Sequence, residues 1–295
     1  MRIKMSKGDR AFNVFNVIVL TLLTLATVYP VYYVLVASFT NNTALMQSSG
    51  FLLYPIGFTT GAFRLALQHP LLMSGYRNTL FIIAVSLPIN IALTLCCGYF
   101  MASRGMLFRK PIIIFILFTM WFNAGMIPAF LNIQSLGLLN SIWSLILPSA
   151  MSVFNAIIAK TAIEGLPPSL NESAYLDGAN DFTILFRIVA PLIMPTIAVL
   201  LLFYGVGHWN AWFWATIFIR DNNMLPLQNL LRAILIEAEG LLQQGAGAGD
   251  GDRVNMYAET IKYAAIVITT APILLIYPFL QRYFVKGVLI GSVKG

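Results

Sequence analysis

The amino-acid sequence predicts an all-α protein, a polytopic membrane bundle of six transmembrane helices, and three observations support this class. Of the 295 residues, 59% are hydrophobic and 10% are charged, whereas soluble domains carry about a quarter charged residues. The mean hydropathy is +0.80. Apolar segments recur along the chain, each with about the twenty residues needed to cross the hydrocarbon core. One such bundle accounts for the whole chain, residues 1–295, as a single domain.

Six apolar segments, separated by polar loops, are predicted to span the membrane. Pro30 lies near the outer end of the first segment and Pro88 lies within the second, so we expect a kink in the first and a break in the second. No cleavable signal peptide is expected, because the first segment is too long and lacks a small-residue cleavage site. The predicted spans are about 11–39, 78–101, 111–131, 140–162, 191–219 and 257–280.

Lysine and arginine set the predicted orientation. With the N-terminus inside, 12 of the 18 basic residues fall in cytoplasmic segments and 6 fall outside, as the positive-inside rule requires. Six spans then return the C-terminus to the cytoplasm. The net charge of +7 is explained by this topology, so no nucleic-acid partner is expected.

A polar stretch from Pro167 to Pro195 separates the fourth and fifth spans. Ser169 and Glu172 have the spacing of a capping box, which predicts that a short helix starts here. Gly178 is placed to end this helix, because glycine tolerates the left-handed conformation. A second helix follows, capped by Asn180 or Asp181. Its predicted apolar stripe consists of Phe182, Leu185, Phe186 and Val189.

The same stretch resembles the Glu-Ala-Ala loop of ABC importer permeases. The family pattern is Glu-Ala-Ala, three residues, Gly, nine residues and Ile-x-Leu-Pro, and the spacing here matches throughout. Ser173 replaces the first alanine and Ala190 replaces the leucine, and both stay small or apolar. The resemblance implies that residues 164–190 form a cytoplasmic coupling loop. The residues that it assigns to ATPase coupling are Glu172, Ser173, Ala174, Asp177, Gly178, Ala179, Ile188 and Pro191. Without the resemblance, the same pattern fits a plain interfacial amphipathic helix.

This resemblance implies the type I ABC importer fold and a set of partners. The chain itself has no Gly-x4-Gly-Lys-Ser/Thr run, so it is expected to be a transport subunit and not an enzyme. It would bind no cofactor, and ATP and Mg²⁺ would lie on the partner ATPase. The implied partners are a second permease in a heterodimer, two ATPase subunits, an extracytoplasmic solute-binding protein and membrane lipid. The implied location is a bacterial inner membrane, with both termini cytoplasmic.

The C-terminal tail resembles that of maltose-importer-type permeases, where the tail runs between the two ATPases. The residues implied in this contact are Lys286, Gly287, Lys294 and Gly295. An ordinary basic membrane anchor is the alternative. A glycine-rich outer loop at 240–253 fits either a flexible linker or, by resemblance, a segment that reaches into the solute-binding protein.

Polar and aromatic residues cluster in the fifth span and predict a substrate path. His208, Asn210 and Trp212 lie in an otherwise apolar segment, where lipid cannot satisfy polar groups. On a continuous helix His208 and Trp212 share a face, whereas Asn210 lies about 200° away from His208. We therefore expect that either His208 and Trp212 or Asn210, but not both, face a cavity within the bundle, and we favour His208 and Trp212. An interfacial aromatic belt is the alternative. Neither His69 nor His208 has metal-site spacing to other ligands, so no metal is expected.

Together these features predict a permease subunit of an ATP-driven, binding-protein-dependent carbohydrate importer. The chain is similar to the permeases of oligosaccharide systems, and within them to the branch that handles acidic oligosaccharides such as aldouronates and alginate. The alternatives are an ABC permease for another solute and a stand-alone secondary transporter. The latter needs intramembrane carboxylates, which the spans lack except for Glu259 at an edge. A membrane enzyme would need a His/Asp/Glu cluster near the interface, and no histidine accompanies the acidic residues there.

Overall fold

The computed structural model describes residues 7–48, 50–103, 107–243 and 258–292. Within these ranges the regular structure is helical and no β-strand occurs. The chain forms two compact units, one made of Met1–His69 with Leu231–Ala271 and the other of Pro70–Leu230 with Pro272–Gly295. The sequence interpretation treats the chain as one domain, and this remains a prediction.

The first unit is built on one long apolar helix, α1 (Lys7–Ser38), which covers the first predicted span. Most of its large apolar side chains are exposed, as expected for a helix surrounded by lipid. The Thr24 and Thr27 hydroxyls donate to carbonyl oxygens four residues earlier, at 2.7 and 3.0 Å. Pro30 lies inside this helix without ending it.

A short apolar core joins the end of α1 to the loop that follows. The loop contains α2 (Asn42–Gln47) and α3 (Gly61–Leu67). The Tyr29 ring stacks on Phe51 at 5.1 Å, and the Tyr29 hydroxyl accepts a hydrogen bond from the Leu52 amide at 3.1 Å. The loop therefore packs back onto its own helix. The buried members of this core are Val36, Ala37, Leu45 and Leu52.

The second unit is organised around α4 (Leu72–Ala102), which covers the second predicted span. The expected break at Pro88 is wrong, because the helix continues through this residue. Neighbouring helices can hold a proline-containing membrane helix in place, and α4 packs along α8 (Val153–Glu164) and α12 (Met194–Trp209). Gly98 makes this contact close, because a Cβ there would lie 2.8 Å from the Ala159 Cβ.

The third, fourth and fifth predicted spans are interrupted in the structure. Helices α5 (Arg109–Trp121) and α6 (Met126–Ser135) bend by 111° at a break that contains Gly125, whose φ is +90°. The fourth predicted span contains the short α7 (Trp143–Ile146), a non-helical segment at 147–152, and then α8. The fifth ends in a second short helix, α13 (Phe213–Phe218).

The polar stretch forms a helix–turn–helix between α8 and α12. It begins with α9 (Ser169–Leu176), and after a turn it continues as α10 (Asp181–Thr183), a π-helical segment Ile184–Val189 and α11 (Ala190–Leu192). The chain then bends by 90° into α12.

Two boundaries between the compact units, at residues 230/231 and 271/272, fall within two further helices. These helices are α14 (Leu227–Gln243) and α15 (Ala258–Ser292), and the second covers residues 258–280 of the sixth predicted span. By length and composition, α1 and α4 can each cross a membrane, and the two bent pairs raise the number to four at most among the described residues. Helix α15 contains a shorter apolar stretch, Thr260–Ile276. The number of six spans remains a prediction.

Candidate functional site

The turn between α9 and α10 has the geometry that the sequence predicts. Gly178 has a φ of +79°, in the left-handed region that favours glycine. Its amide donates to the Tyr175 carbonyl at 3.0 Å, and the Ala179 amide donates to the Ala174 carbonyl at 3.0 Å. These two bonds form a Schellman motif, which satisfies the last carbonyls of α9. The turn is therefore fixed by the backbone.

The start of α9 differs from the prediction. Pro168 is the capping residue, and Ser169 is the first helical residue with no side-chain capping bond. The expected capping box is therefore wrong. Pro168 has φ and ψ of −59° and −29°, and a proline ring fixes φ in this helical range. Pro168 thus starts the helix without a side-chain cap from Ser169.

Asn180, one of the two predicted caps, begins the second helix. Its Oδ1 accepts a hydrogen bond from the Thr183 amide at 2.8 Å. Its predicted apolar stripe is only half right, because Leu185 and Val189 are buried whereas Phe182 and Phe186 are exposed. The stripe assumes 3.6 residues a turn, but this segment is a π-helix with i→i+5 bonds. The wider turn takes Phe186 out of the predicted register, whereas Phe182 lies in α10, before the π-helical segment.

The coupling-loop residues divide into an exposed set and an anchored set. Ala174 is buried, and Ala179 and Ile188 pack against the same core. This core also contains Leu95 of α4 and Ile163 of α8. The loop thus has a fixed apolar side and a free polar side, as a docking element requires. The exposed residues are Glu172, Ser173, Asp177, Gly178 and Pro191.

Two tyrosines connect the helix–turn–helix to α4 through one carboxylate. The Tyr99 hydroxyl donates to Asp181 Oδ1 at 3.3 Å, and the Tyr175 hydroxyl donates to the same oxygen. The hydrogen bond to Asp181 is the main cause that raises the pKa of Tyr175 above its usual value. The Tyr175 hydroxyl therefore stays protonated at physiological pH and remains the donor of this hydrogen bond.

A second polar cluster lies where α4, α5 and α8 end or begin. The Arg109 Nε donates to the Met101 carbonyl at 3.2 Å, at the last turn of α4, where a cation favours the helix terminus. Arg109 also lies 3.7 Å from Glu164 at the end of α8, and Lys160 lies 2.8 Å from the same carboxylate. This cluster holds the chain just before the coupling loop.

A large cavity opens on the other side of the second unit. Its volume is about 1340 Å³, and residues of α4, α6, α7, α8, α12 and α13 line it. The lining is apolar and aromatic with several amide and hydroxyl groups, and among the described residues it contains no Lys, Arg, Asp or Glu. The polar members include Asn132, Ser149, Ser152, Asn155, His208 and Asn210.

His208, Asn210 and Trp212 all line this cavity. The expectation that only one set can face it is therefore wrong. That argument assumes a continuous helix, but α12 ends at Trp209 and Asn210 is its C-cap. Trp212 has φ and ψ of −137° and −33°, so helical spacing does not apply there. A contact of these residues with substrate remains a prediction.

Sequence reasoning missed two polar residues of α4 that face α12. Asn90 contacts His208 and Thr94 contacts Tyr204, and both α4 side chains are fully buried. Their spacing of four residues in an apolar span was the available signal, since such groups need partners on a neighbouring helix.

Part of the predicted C-terminal contact is outside the described residues. The backbone of α15 extends to Ser292 and so contains Lys286 and Gly287, whereas Lys294 and Gly295 lie beyond the part of the chain that the structure describes. In that part, His, Cys, Asp and Glu form no group of three that could hold a metal ion.

Comparison with known proteins assigns the family. The family model described as "Binding-protein-dependent transport system inner membrane component" matches residues 3–290. The chain belongs to this family. It is therefore an inner-membrane permease subunit of a transport system and not an enzyme, and the alternatives of a secondary transporter and a membrane enzyme are excluded.

Individual relatives agree with this assignment. The polygalacturonan/rhamnogalacturonan transport system permease protein YtcP of Bacillus subtilis (strain 168) is 40% identical over 263 residues, which cover 89% of this chain and 91% of that protein. Protein LplC of the same organism is 38% identical over 293 residues, covering 98% and 97%. The crystal structure of a bacterial ABC transporter involved in the import of the acidic polysaccharide alginate contains a chain that is 29% identical. The alignment to it has a TM-score of 0.86 and covers 96% of this chain and all of that one. The predicted all-α permease fold is confirmed.

Proposed function

We propose that this chain is one of two permease subunits in an ATP-driven importer of oligosaccharides that contain acidic sugar units. The support for acidic sugars comes from relatives whose names specify polygalacturonan, rhamnogalacturonan and alginate. The other proposed members of the complex are a second, different permease, two ATPase subunits that bind ATP and Mg²⁺, and an extracytoplasmic solute-binding protein. Both termini and the coupling loop are proposed to be cytoplasmic, from the distribution of Lys and Arg.

The observation that carries this proposal is that one compact unit contains both the cavity and the helix–turn–helix. Helices α8 and α12 border the cavity and flank α9–α11 in the chain. A rigid-body movement of α9, driven by closure of an ATPase dimer, can therefore reach the cavity walls through packed helices.

The chemistry of the cavity suits a saccharide. Its volume of about 1340 Å³ exceeds the range of about 300–1,000 Å³ of ordinary small-molecule pockets, which supports an oligosaccharide as the solute. Aromatic faces such as Trp212 and Trp214 can stack on sugar rings, and amides and hydroxyls can pair with sugar hydroxyls. A fixed cation in this low-dielectric setting would hold a uronate too tightly for release, so an uncharged lining favours passage.

The test is ATPase stimulation in the purified complex with its native partners. We expect stimulation by the solute-binding protein loaded with an oligogalacturonide, and little or none by the unloaded protein or with a maltodextrin. Equal stimulation with a neutral oligosaccharide would contradict the acidic preference. No stimulation by any saccharide would favour another solute class.

A pair of tryptophan variants tests the cavity itself. Trp212→Ala should lower oligosaccharide transport several-fold, because aromatic contacts are worth about 0.5–1.5 kcal/mol each. Trp121→Ala is the control, since Trp121 is 85% exposed at the end of α5 and does not line the cavity. Equal effects of the two variants would argue against a substrate path here.

A further inference from the structure

Two hydrogen bonds join α4 to α12 in an antiparallel register. Asn90 Oδ1 lies 2.9 Å from His208 Nε2, and Thr94 Oγ1 lies 2.6 Å from the Tyr204 hydroxyl. Each step of four residues forward along α4 matches a step of four residues backward along α12. Four residues make about one helical turn, so the two bonds lie one turn apart between the same pair of helix faces. We call each of these two interhelical hydrogen bonds a rung.

Each rung also binds the non-helical segment at 147–152. The Asn90 Nδ2 donates to the Ser149 carbonyl at 2.7 Å, and the Tyr204 hydroxyl accepts from the Ser152 amide at 2.8 Å. A break in a membrane span leaves backbone groups that lipid cannot satisfy. The two rungs satisfy one carbonyl and one amide of this break, and thereby fix the part of the cavity wall to which Ser149 and Ser152 belong.

The bond to Ser149 determines which end of the Asn90 amide faces His208. A backbone carbonyl only accepts hydrogen bonds, so the amide nitrogen of Asn90 must point to it. The Asn90 oxygen is then the atom that faces His208 Nε2, and an oxygen acceptor requires a proton on that nitrogen. In neutral imidazole only one nitrogen is protonated. The geometry therefore places the proton on Nε2 and, in the neutral form of His208, leaves Nδ1 as an acceptor.

The Nδ1 atom is free to meet a ligand. It makes no hydrogen bond to the residues that the structure describes. In the same part of the chain, the buried side-chain atoms without a partner are the Ser86 hydroxyl and Asn229 Oδ1, so Nδ1 retains accessible surface. His208 lines the cavity.

We propose that Asn90 is a positioning residue that holds His208 with Nδ1 as a hydrogen-bond acceptor for a saccharide hydroxyl in the cavity. The recognition part rests on the proposed function, whereas the tautomer part does not. A hydroxyl donor that meets an acceptor fixed in advance loses little freedom on binding. Asn90 thus acts through His208 and does not itself touch the substrate.

The first experiment is ¹⁵N NMR of histidine in the complex with its native partners, in lipid and without saccharide. His69 and His208 are the two histidines of the chain, and the difference spectrum against His208→Gln assigns the His208 signals. We expect a protonated Nε2 and an unprotonated Nδ1. A protonated Nδ1 in the wild-type complex would overturn the proposal, and this measurement needs no variant at Asn90.

The second experiment changes Asn90 and compares a matched position. Asn90→Leu removes the acceptor, so both tautomers of His208 should be populated. Asn90→Asp in its protonated form keeps both an O–H donor for the Ser149 carbonyl and an acceptor oxygen for His208, so it should restore the single tautomer. Thr94→Val is the control, because Thr94 is equally buried one turn away and does not contact His208. An unchanged tautomer in Asn90→Leu, or an equal change in Thr94→Val, would contradict the assignment.

The last readout is transport. Asn90→Leu should lower kcat/KM for the oligosaccharide about tenfold, as expected when one hydrogen bond is lost, and Asn90→Asp should recover much of it. Adding oligogalacturonide to the wild-type complex should shift the Nδ1 signal. A complex that is stimulated by the loaded binding protein but shows no Nδ1 shift would refute the recognition part alone. A complex without any stimulation would refute the proposed function and leave the tautomer result standing.

Discussion

Gly178 is the residue whose conformation most directly defines the coupling loop. A Cβ at this position would meet no atom within 4 Å, and φ is +79°. Any effect of substitution therefore arises from backbone strain and not from a steric clash. For a β-branched residue the left-handed conformation is especially unfavourable, at a cost of about 1–2 kcal/mol.

We predict that Gly178→Val uncouples ATP hydrolysis from transport while the protein stays in the membrane. Strain at the turn should displace α9 relative to α10, whereas the buried anchor residues still hold the segment. The measurement is the ratio of oligosaccharide transported to ATP hydrolysed in reconstituted vesicles. Gly178→Asn is the matched variant, because asparagine tolerates this conformation better, and it should recover most of the coupling. Normal transport by Gly178→Val would remove Gly178 from the coupling assignment.

At the scale of helices, hydropathy locates the elements but not their interruptions. The sequence predicts spans at 11–39 and 78–101; α1 covers the first up to Ser38, and α4 contains the second. The break of α12 after Trp209 cannot be read from hydropathy, because the apolar composition continues through it. Similarly, the partner of His208 lies 118 residues away on α4. Only the packing of the two helices brings Asn90 to it, so periodicity within one span cannot reveal the pair.

The contact between α4 and α8 depends on a glycine. A Cβ at Gly98 would lie 2.8 Å from the Ala159 Cβ and 3.0 Å from the Lys160 backbone nitrogen. Small residues at such positions let membrane helices approach closely. Since one of the obstructing atoms belongs to the backbone, a side-chain rotation cannot relieve the clash.

We predict that Gly98→Ala destabilises the complex by about 1–3 kcal/mol, the usual cost of overpacking. The measurement is the unfolding temperature of the purified complex. Gly205→Ala is the control, because Gly205 is also inside a helix but a Cβ there would meet no atom within 4 Å. That variant should be neutral or slightly stabilising, since alanine is the better helix former. Identical unfolding temperatures for the two variants would contradict the prediction, because they would mean that α4 and α8 can move apart to accommodate the Cβ without loss of stability.

At the scale of the whole molecule, the second unit contains both the cavity, which we propose as the transport path, and the helix–turn–helix, which we propose as the docking surface for an ATPase subunit. One end of the second unit presents the exposed residues of the coupling loop, and the described residues that line its cavity include no Lys, Arg, Asp or Glu. The sequence motif identified the loop because its spacing is local. The cavity is assembled from six helices, so its lining follows only from the tertiary structure.

The C-terminal segment provides the last prediction. Residues 287–295 contain three glycines and end in Val-Lys-Gly, and this segment is the one for which a contact with the ATPases is predicted. Deleting these residues should lower the ATPase stimulation by loaded solute-binding protein, while the complex still assembles. The competing explanation is a basic membrane anchor, and deletion of residues 2–6 tests it because this removes Arg2 and Lys4 from the other predicted cytoplasmic terminus. If the tail contacts the ATPases, only the C-terminal deletion should reduce stimulation in vesicles with matched amounts of complex. Equal losses from both deletions, or no loss from either, would favour the anchor.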